Sequence, residues 1–222
     1  MGTISVNKLG GLALMVAPVI TLIFFFLQPG GAFVDAADPA DAGETINAIV
    51  SNAGLGKLTS VIIPIGLLFF LYGISVLKGS VSSNGNGSAL SSIGLQFILV
   101  GVIGWVVISG ASLAIAGSDL PAEQATSLFG SLYSATVGIN TISGIIFGIG
   151  LFGLALALST REDYNRVFAL VAAVGALVAV VAAIVGGLDA GQLETMSLII
   201  GITYLVHMVW FFTLGRSLSQ SE

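Results

Sequence analysis

Cysteine is absent from the 222 residues of the chain, and histidine occurs once, as His207. Disulfides, iron–sulfur clusters, thiolate zinc sites and cysteine nucleophiles are therefore excluded for this chain. A single histidine also excludes a bis-histidine haem or a multi-histidine metal centre built from this chain alone. We expect the protein to carry no metal and no cofactor.

Charged residues are scarce as well. They make up 8% of the sequence, whereas about 25% is usual in a soluble globular protein. Six Lys and Arg stand against eleven Asp and Glu, and the net charge of −5 has the wrong sign for binding nucleic acid. Apolar residues make up 56%, and the mean hydropathy is +1.08, which also excludes a disordered chain. The composition predicts an integral membrane protein that is surrounded by the lipid bilayer and has no nucleic-acid partner.

Six apolar stretches are long enough to cross a bilayer core, which takes about 20 residues per helix. They cover residues 9–27, 59–77, 93–116, 133–159, 167–188 and 196–214. Such lengths are typical of helices and not of membrane β-strands, which run about 10 residues. Pro18 interrupts the first stretch, which we interpret as a retained helix and not a cleaved signal. Because no long polar segment separates the stretches, we predict an all-α, polytopic six-helix bundle that forms a single membrane domain over residues 1–222.

Lysine and arginine are distributed unevenly between the two ends of the predicted spans. The end that also holds both termini carries five of the six basic residues: Lys8, Lys78, Arg161, Arg166 and Arg216. The other end has Lys57 alone, together with most of the acidic residues. Since basic residues near span ends stay inside the cell, we predict a multi-pass protein of the cell (inner) membrane with both termini cytoplasmic. We expect Arg161 and Arg166 to anchor helix ends at the lipid headgroups.

The loop between the first two spans predicts a short amphipathic helix. Residues 38–41 (DPAD) are typical of a helix start, and Ile46, Ile49 and Val50 follow at helical spacing. The pattern ends near Gly54. We expect this helix to lie on the outer membrane surface or to fold over the mouth of the bundle.

Two further loops carry local signals. Residues 118–123 (SDLPAE) are typical of a helix start and predict that the fourth span extends outward by about three turns. Residues 78–92 contain the run SSNGNGS and predict a flexible connector. Asn86 in this connector matches a glycosylation pattern, but it lies on the predicted cytoplasmic side.

Four acidic residues recur at every third position of the first outer loop: Asp35, Asp38, Asp41 and Glu44. Several carboxylates together are typical of a calcium site. This spacing lacks the alternate ligands and the internal glycine of an EF-hand loop, however. We therefore interpret the run as a solvated acidic loop.

Asp, Glu, Lys and Arg are missing from the six predicted spans. Pumps, voltage sensors and ion-coupled transporters usually keep such residues in the membrane, so these classes are disfavoured. No nucleophile–base pair or set of metal ligands is visible either. We predict that the protein is not an enzyme.

Small residues recur at four-residue intervals in two of the spans. They are Gly175, Ala179, Ala183 and Gly187 in the fifth span, and Asn140, Gly144 and Gly148 in the fourth. Such rows let helix backbones approach closely. We favour packing within the bundle, with an interface to a partner subunit as the alternative. Gly150 and Gly153 form a second small face on the fourth span, which leaves one face for another chain.

Four polar residues in the spans are candidates for binding a ligand: His207, Tyr204, Asn140 and Gln96. A neutral His207 has the chemistry to ligate the metal of a haem or chlorophyll. We favour a hydrogen bond to a neighbouring hydroxyl or carbonyl instead. Asn140 and Gln96 either line a cavity or bridge helices, at about 1 kcal/mol each.

Three segments resemble a known family. AGETINAIVSNAGLGKL (Ala42–Leu58) leads into the second span, LPAEQA (Leu120–Ala125) opens the fourth, and the turn Tyr164-Asn165-Arg166 leads into the fifth. In this layout the chain resembles a family of uncharacterised bacterial six-transmembrane-helix proteins of similar length. Asn165 stands where that family usually has proline. The resemblance implies a fold and no activity.

Two functions remain open at this point. The first is an accessory or structural subunit of a larger membrane complex, with other membrane-protein subunits as partners, as the close-packing rows and the missing catalytic groups suggest. The alternative is a protein that binds or passes a small apolar molecule, such as a lipid, a quinone or a pigment-like ligand. In that case Gln96, Asn140, Tyr204 and His207 would converge on one cavity inside the bundle.

Overall fold

The computed structural model describes residues 4–82 and 87–221. Within these ranges the chain forms seven α-helices and one 3₁₀ turn. The helices are α1 (Val6–Phe26), α2 (Ala42–Ser51), α3 (Ala53–Ser82), α4 (Ser88–Ala116), α5 (Ala122–Ser159), α6 (Arg166–Leu188) and α7 (Leu193–Gln220), and the 3₁₀ turn is Ala190–Gln192. Six of the helices, all except α2, are long and apolar enough to cross a membrane. The prediction of an all-α, polytopic six-helix bundle is confirmed.

Several helices run past the predicted spans, and α5 has the longest extension at one end. It begins at Ala122 and not at residue 133. Its 38 residues measure about 57 Å at 1.5 Å per residue, whereas a bilayer core is about 30 Å thick. The predicted extension of the fourth span by about three turns is therefore confirmed, as a helix that begins at Ala122.

The predicted flexible connector at residues 78–92 is mostly helical, because α3 continues to Ser82 and α4 begins at Ser88. Asn86 and the three residues before it lie outside the described residues. A serine hydroxyl can donate to the carbonyl four residues back, as Ser80 does. The serine-rich composition therefore did not end the helices where the prediction placed their ends.

Arg161, which was predicted to anchor a helix end at the lipid headgroups, bonds within the protein. Its side chain is 8% exposed, and its guanidinium donates to the carbonyl of Val81 over 3.4 Å and to Asp163 over 2.7 Å. Val81 is in the last turn of α3, where carbonyls lack helical partners and a cation is stabilising. Arg161 therefore caps α3 from the turn between α5 and α6, whereas Arg166 is exposed.

The six long helices form a closed ring. In the order α1, α3, α4, α5, α6 and α7, each packs against the next, and α7 packs against α1. Large buried side chains fill the half of the ring toward the two termini; they include Leu14, Ile74, Leu77, Leu154 and Leu214. We call this the terminal end of the bundle, and the opposite end, where α2 lies, the α2 end.

The small-residue rows of α5 and α6 face each other inside the bundle, except for Gly175, which lies against His207 of α7. A Cβ on Gly148 would lie 2.6 Å from Val180, and one on Gly187 would lie 2.5 Å from Thr141. Side chains larger than hydrogen at these two positions would force the helices apart. The rows thus form a seam between helices of the same chain.

The second small face of α5 is covered by α4 and is not left for another chain. A Cβ on Gly150 would lie 2.7 Å from the carbonyl oxygen of Gly94, and one on Gly153 would lie 3.7 Å from the Cα of Gly94. Each small face of α5 therefore has a neighbour within the bundle.

A third close approach, between α1 and α7, closes the ring. A Cβ on Gly215 would lie 2.5 Å from the carbonyl oxygen of Gly11. On the adjacent position of α1, a Cβ on Gly10 would lie 2.7 Å from Val76 of α3. Gly10 and Gly11 let α1 fit between α3 and α7. This seam was not predicted from the sequence.

Helix α2 confirms the predicted amphipathic helix and folds over the bundle. Ile46 and Ile49 are 0% and 4% exposed and pack with Ile115 of α4 and Ala125 of α5. The helix ends three residues before the predicted Gly54. Its apolar face is therefore covered by protein, and α2 lies over the α4–α5 side of the ring.

The regularly spaced carboxylates beside α2 take part in local hydrogen bonds. Asp41 caps α2 by accepting from the backbone N–H of Gly43 at 2.7 Å. Asp35 accepts from the side chain of Asn52 at 2.6 Å. Among the described residues, no group of three or more His, Cys, Asp or Glu is placed to hold a metal ion. The contacts support a structural role for these carboxylates in the loop.

Tyr133 fastens this loop to α5, since its hydroxyl lies 3.0 Å from the carbonyl oxygen of Pro39 and 3.1 Å from the hydroxyl of Thr45. We expect Tyr133→Phe to loosen α2 while the ring stays folded, because each lost bond is worth about 1 kcal/mol. Hydrogen exchange of α2 should then rise about fivefold per kcal/mol. Tyr72→Phe, on a side chain that is 37% exposed on α3, is the control. Equal exchange in the two variants would contradict the role of Tyr133.

Candidate binding cavity

A cavity of about 260 Å³ lies inside the ring, in the half toward the α2 end. All six long helices contribute to its wall. It extends from Gln28 and Leu193, which lie beside the α2 end, to His207 and Phe211 in the middle of α7. Beyond these residues the packed core fills the ring.

Aromatic rings from four helices form the floor of the cavity. The ring centroids of Phe70 and Phe211 are 4.8 Å apart, and those of Trp105 and Phe147 are 4.7 Å apart. Tyr204 meets Trp105 edge to face at 6.2 Å. Offset and edge-to-face pairs of this kind are favourable and give the floor a defined shape.

Two of the predicted residues, Asn140 and Tyr204, bring polar groups to this apolar cavity. The Oδ1 atom of Asn140 accepts from the indole N–H of Trp105 at 2.9 Å. That bond fixes the amide and leaves its two N–H donors for another partner. Of the described residues that line the cavity, none is Asp, Glu, Lys or Arg.

His207 joins α7 to α6 at the floor of the cavity and is 1% exposed. Its Nδ1 atom lies 2.6 Å from the carbonyl oxygen of Thr203, and its Nε2 atom lies 3.0 Å from that of Ala172. A neutral imidazole can donate to one of these carbonyls and a protonated one to both. Gly175 makes room for the ring, because a Cβ there would lie 3.3 Å from its Cε1 atom. Since both nitrogens face carbonyls, neither is turned toward the cavity to ligate a metal.

Gln96 does not join the other three predicted residues. It is exposed on α4, between Gly94 and Ile98, which are buried. Successive helical residues are rotated by about 100°, so Gln96 points away from the side of α4 that packs in the ring. The predicted convergence therefore holds for Asn140, Tyr204 and His207 only.

Removing the imidazole should weaken the contact between α6 and α7. We expect His207→Leu to lower the free energy of unfolding by about 1–2 kcal/mol, the range for interhelical hydrogen bonds in membranes. Thermal unfolding followed by circular dichroism in maltoside micelles measures the change. Met208→Leu, a volume-conserving change on the adjacent cavity-lining residue, is the control. An equal effect of both variants would contradict a specific role for His207.

Trp105 lines the cavity but was not among the predicted ligand-binding residues, although its position in the sequence is unusual. Tryptophan in membrane proteins is enriched at the interfaces with water, whereas Trp105 lies in the middle of the third predicted span. A polar indole N–H at that depth needs a partner inside the bundle. Its position could thus have indicated a polar contact such as the one with Asn140.

Comparison of the chain with protein-family models, with curated proteins and with solved structures finds no match. The resemblance to a family of bacterial six-helix proteins therefore stays a prediction. Any function has to be argued from the cavity itself.

Proposed function

We propose that the protein binds a small apolar molecule in this cavity and has no catalytic activity. The observation that carries the proposal is the convergence of all six long helices on one apolar space, with Asn140 and Tyr204 in its wall. Ligand sites are typically concave and mostly apolar, with a few polar groups that orient the ligand. The volume of about 260 Å³ exceeds the roughly 150 Å³ that holds benzene in an engineered protein core.

The chemistry of the wall favours a ligand whose enclosed part is uncharged. None of the described residues of the wall is Asp, Glu, Lys or Arg. A charged group would lose its hydration there without gaining a partner of opposite charge, which is costly. The amide of Asn140 and the hydroxyl of Tyr204 suit a neutral polar atom on an otherwise apolar molecule.

An accessory role in a larger membrane complex stays a prediction. The small-residue rows that suggested it lie between helices of this chain. They therefore give that role no support beyond what any helical bundle provides. The cavity favours the binding function.

We also propose that the protein lies in the cell membrane with both termini cytoplasmic, on the strength of the basic residues at the terminal end. Because the chain has no cysteine, one introduced cysteine reports its own side of the membrane. A membrane-impermeant maleimide applied to intact cells should label Ala36→Cys at the α2 end and leave Gln220→Cys unlabelled. Both positions are exposed. The opposite labelling pattern would overturn the orientation.

Iodobenzene tests the binding function, because its heavy atom quenches the fluorescence of a tryptophan that it contacts. Trp105 lines the cavity and Trp210 does not. We expect quenching in maltoside micelles to saturate with iodobenzene concentration above a linear background from the micelle. In Trp105→Phe, where Trp210 remains, only the linear part should be left. Linear quenching of the unaltered protein would refute the proposed function.

A further inference from the structure

Burial along α1 and α7 is confined to one half of each helix. In α1 the buried residues run from Gly10 to Ala17, and none follows Pro18. In α7 they run from Thr203 to Leu218, and none precedes Thr203. The two stretches without buried residues both lie at the α2 end.

The neighbouring helices differ from α1 and α7 in this respect. Buried residues of α6 extend from Ala169 to Gly186, and those of α3 extend from Thr59 to Val81. Both helices are thus packed along nearly their whole length. Helices α3 and α6 are therefore buried at the α2 end, where their neighbours α1 and α7 are not.

At the α2 end, α7 packs against α6 and α1 packs against α3. A Cβ on Gly186 of α6 would lie 3.1 Å from the Cβ of Met196 in α7. The hydroxyl of Thr21 in α1 likewise lies against Gly66 of α3. Helix α7 therefore stays on α6, and α1 stays on α3.

At the terminal end the same two helices are in direct contact. Gly11 and Gly215 bring their backbones together, and the side-chain amide of Asn7 donates to the carbonyl of Ser221 at 2.8 Å. Pro18 lies where the burial of α1 stops, and a proline inside a helix removes a hydrogen bond and favours a kink. Helices α1 and α7 thus touch at the terminal end and part toward the α2 end.

We infer that the gap between α1 and α7 is a lateral portal to the membrane, through which the cavity takes one acyl chain of a bilayer phospholipid. The inference rests on the proposed binding function and names its ligand. Phe25 of α1 and Ser197 of α7 both line the cavity. Phe25 is nevertheless 50% exposed and Ser197 is also exposed. The space inside the ring is therefore continuous with the surroundings of the bundle at this point.

The length of the cavity fits an extended hydrocarbon chain. Its α7 wall from Leu193 to His207 is about 21 Å long at 1.5 Å per residue. The volume along this wall is about 260 Å³. Gln28 lines the cavity just beyond the end of α1 and offers an amide to the polar part of such a lipid. Helix α2 packs mainly against α5 and α4, on the opposite side of the ring from the boundary between α1 and α7.

Vesicles of dibrominated stearoyl phosphatidylcholine test the portal, because bromine on an acyl chain quenches a tryptophan that the chain reaches. We expect them to quench Trp105 relative to unbrominated vesicles. A bismaleimide that links Phe25→Cys to Ser197→Cys in the folded protein should reduce this quenching at least twofold, since the link bars a chain that is tethered to a headgroup outside. The control links Asn7→Cys to Ser221→Cys at the closed end of the same two helices and should leave quenching unchanged.

The possible outcomes separate the portal from the proposed function. Equal quenching with and without the link at Phe25 and Ser197 overturns the portal. Saturable quenching by iodobenzene without any response to brominated vesicles refutes the acyl chain and leaves the binding function standing. Iodobenzene quenching of the unlinked double variant verifies that it is folded, and failure of iodobenzene on the unaltered protein refutes both proposals.

Discussion

Gly215→Ala is expected to lower the free energy of unfolding by about 1–3 kcal/mol, as overpacking in a tight interior does. The added methyl group would lie 2.5 Å from the carbonyl oxygen of Gly11 and would push α1 away from α7. Gly201→Ala in the same helix is the matched control, because nothing lies within 4 Å of a Cβ there. Alanine is the better helix former by about 0.5–1 kcal/mol, so this variant should keep or gain stability.

Thermal unfolding in maltoside micelles, followed by circular dichroism, measures both variants under one condition. Gly11→Ala, on the opposite side of the seam, should act in the same direction as Gly215→Ala. Because the two glycines are in contact, the double variant should depart from the sum of the single effects. Equal stability of Gly201→Ala and Gly215→Ala would show that the seam does not depend on close backbone approach.

Gly201→Phe is expected to weaken saturable iodobenzene quenching at least tenfold. Gly201 lines the cavity and has open space where a side chain would extend, so the new ring would occupy the volume that a ligand needs. Ile202→Phe adds the same ring to the adjacent residue, which is 64% exposed and does not line the cavity. This control should bind iodobenzene as the unaltered protein does.

Helix content and melting temperature of the two phenylalanine variants show whether each is folded. Because both positions have room for the ring, we expect both variants to fold. A folded Gly201→Phe that binds iodobenzene with unchanged affinity would move the ligand site out of this cavity. A loss of binding in both variants would point to a general effect on α7 instead.

The spans could be predicted because one physical quantity, the length of an apolar run, decides them. The start of α5 and the existence of α2 could also be predicted, since residues 118–123 and 38–41 are local start signals. The start of α2 lies later than predicted, because Asp41 is its N-cap and Pro39 precedes the first turn. The last turn of α3 and the first turn of α4 could not be predicted, because serine is compatible both with a loop and with a helix end. Polar composition alone therefore placed the helix ends wrongly.

The inward faces of the helices were harder to predict. In lipid, the face that packs and the face that meets acyl chains are both apolar, so polarity does not distinguish them as it does in water. Gln96 was therefore grouped with Asn140, although Gln96 points away from the ring and Asn140 lines the cavity inside it. The seam of Gly11 and Gly215 also left no repeat to detect, since its two residues lie in helices far apart in the sequence.

The cavity itself depends on how far two helices part, and no local pattern encodes that angle. Pro18 was noted as an interruption of the first span, but the opening also needs α7 to stay on α6. Asn140, Tyr204 and His207 were grouped correctly by their polarity alone. Their common position became visible only once the ring placed α5 and α7 around one space.

Closure of the ring between α1 and α7 also has a consequence for biosynthesis. The ribosome delivers α1 before the other long helices and α7 after them, so the glycine pair Gly10-Gly11 has only α3 to cover it until α7 is inserted. Contacts between segments so distant in the sequence form late in folding. A nascent chain that stalls before α7 therefore leaves the backbone of α1 at Gly11 uncovered in the membrane.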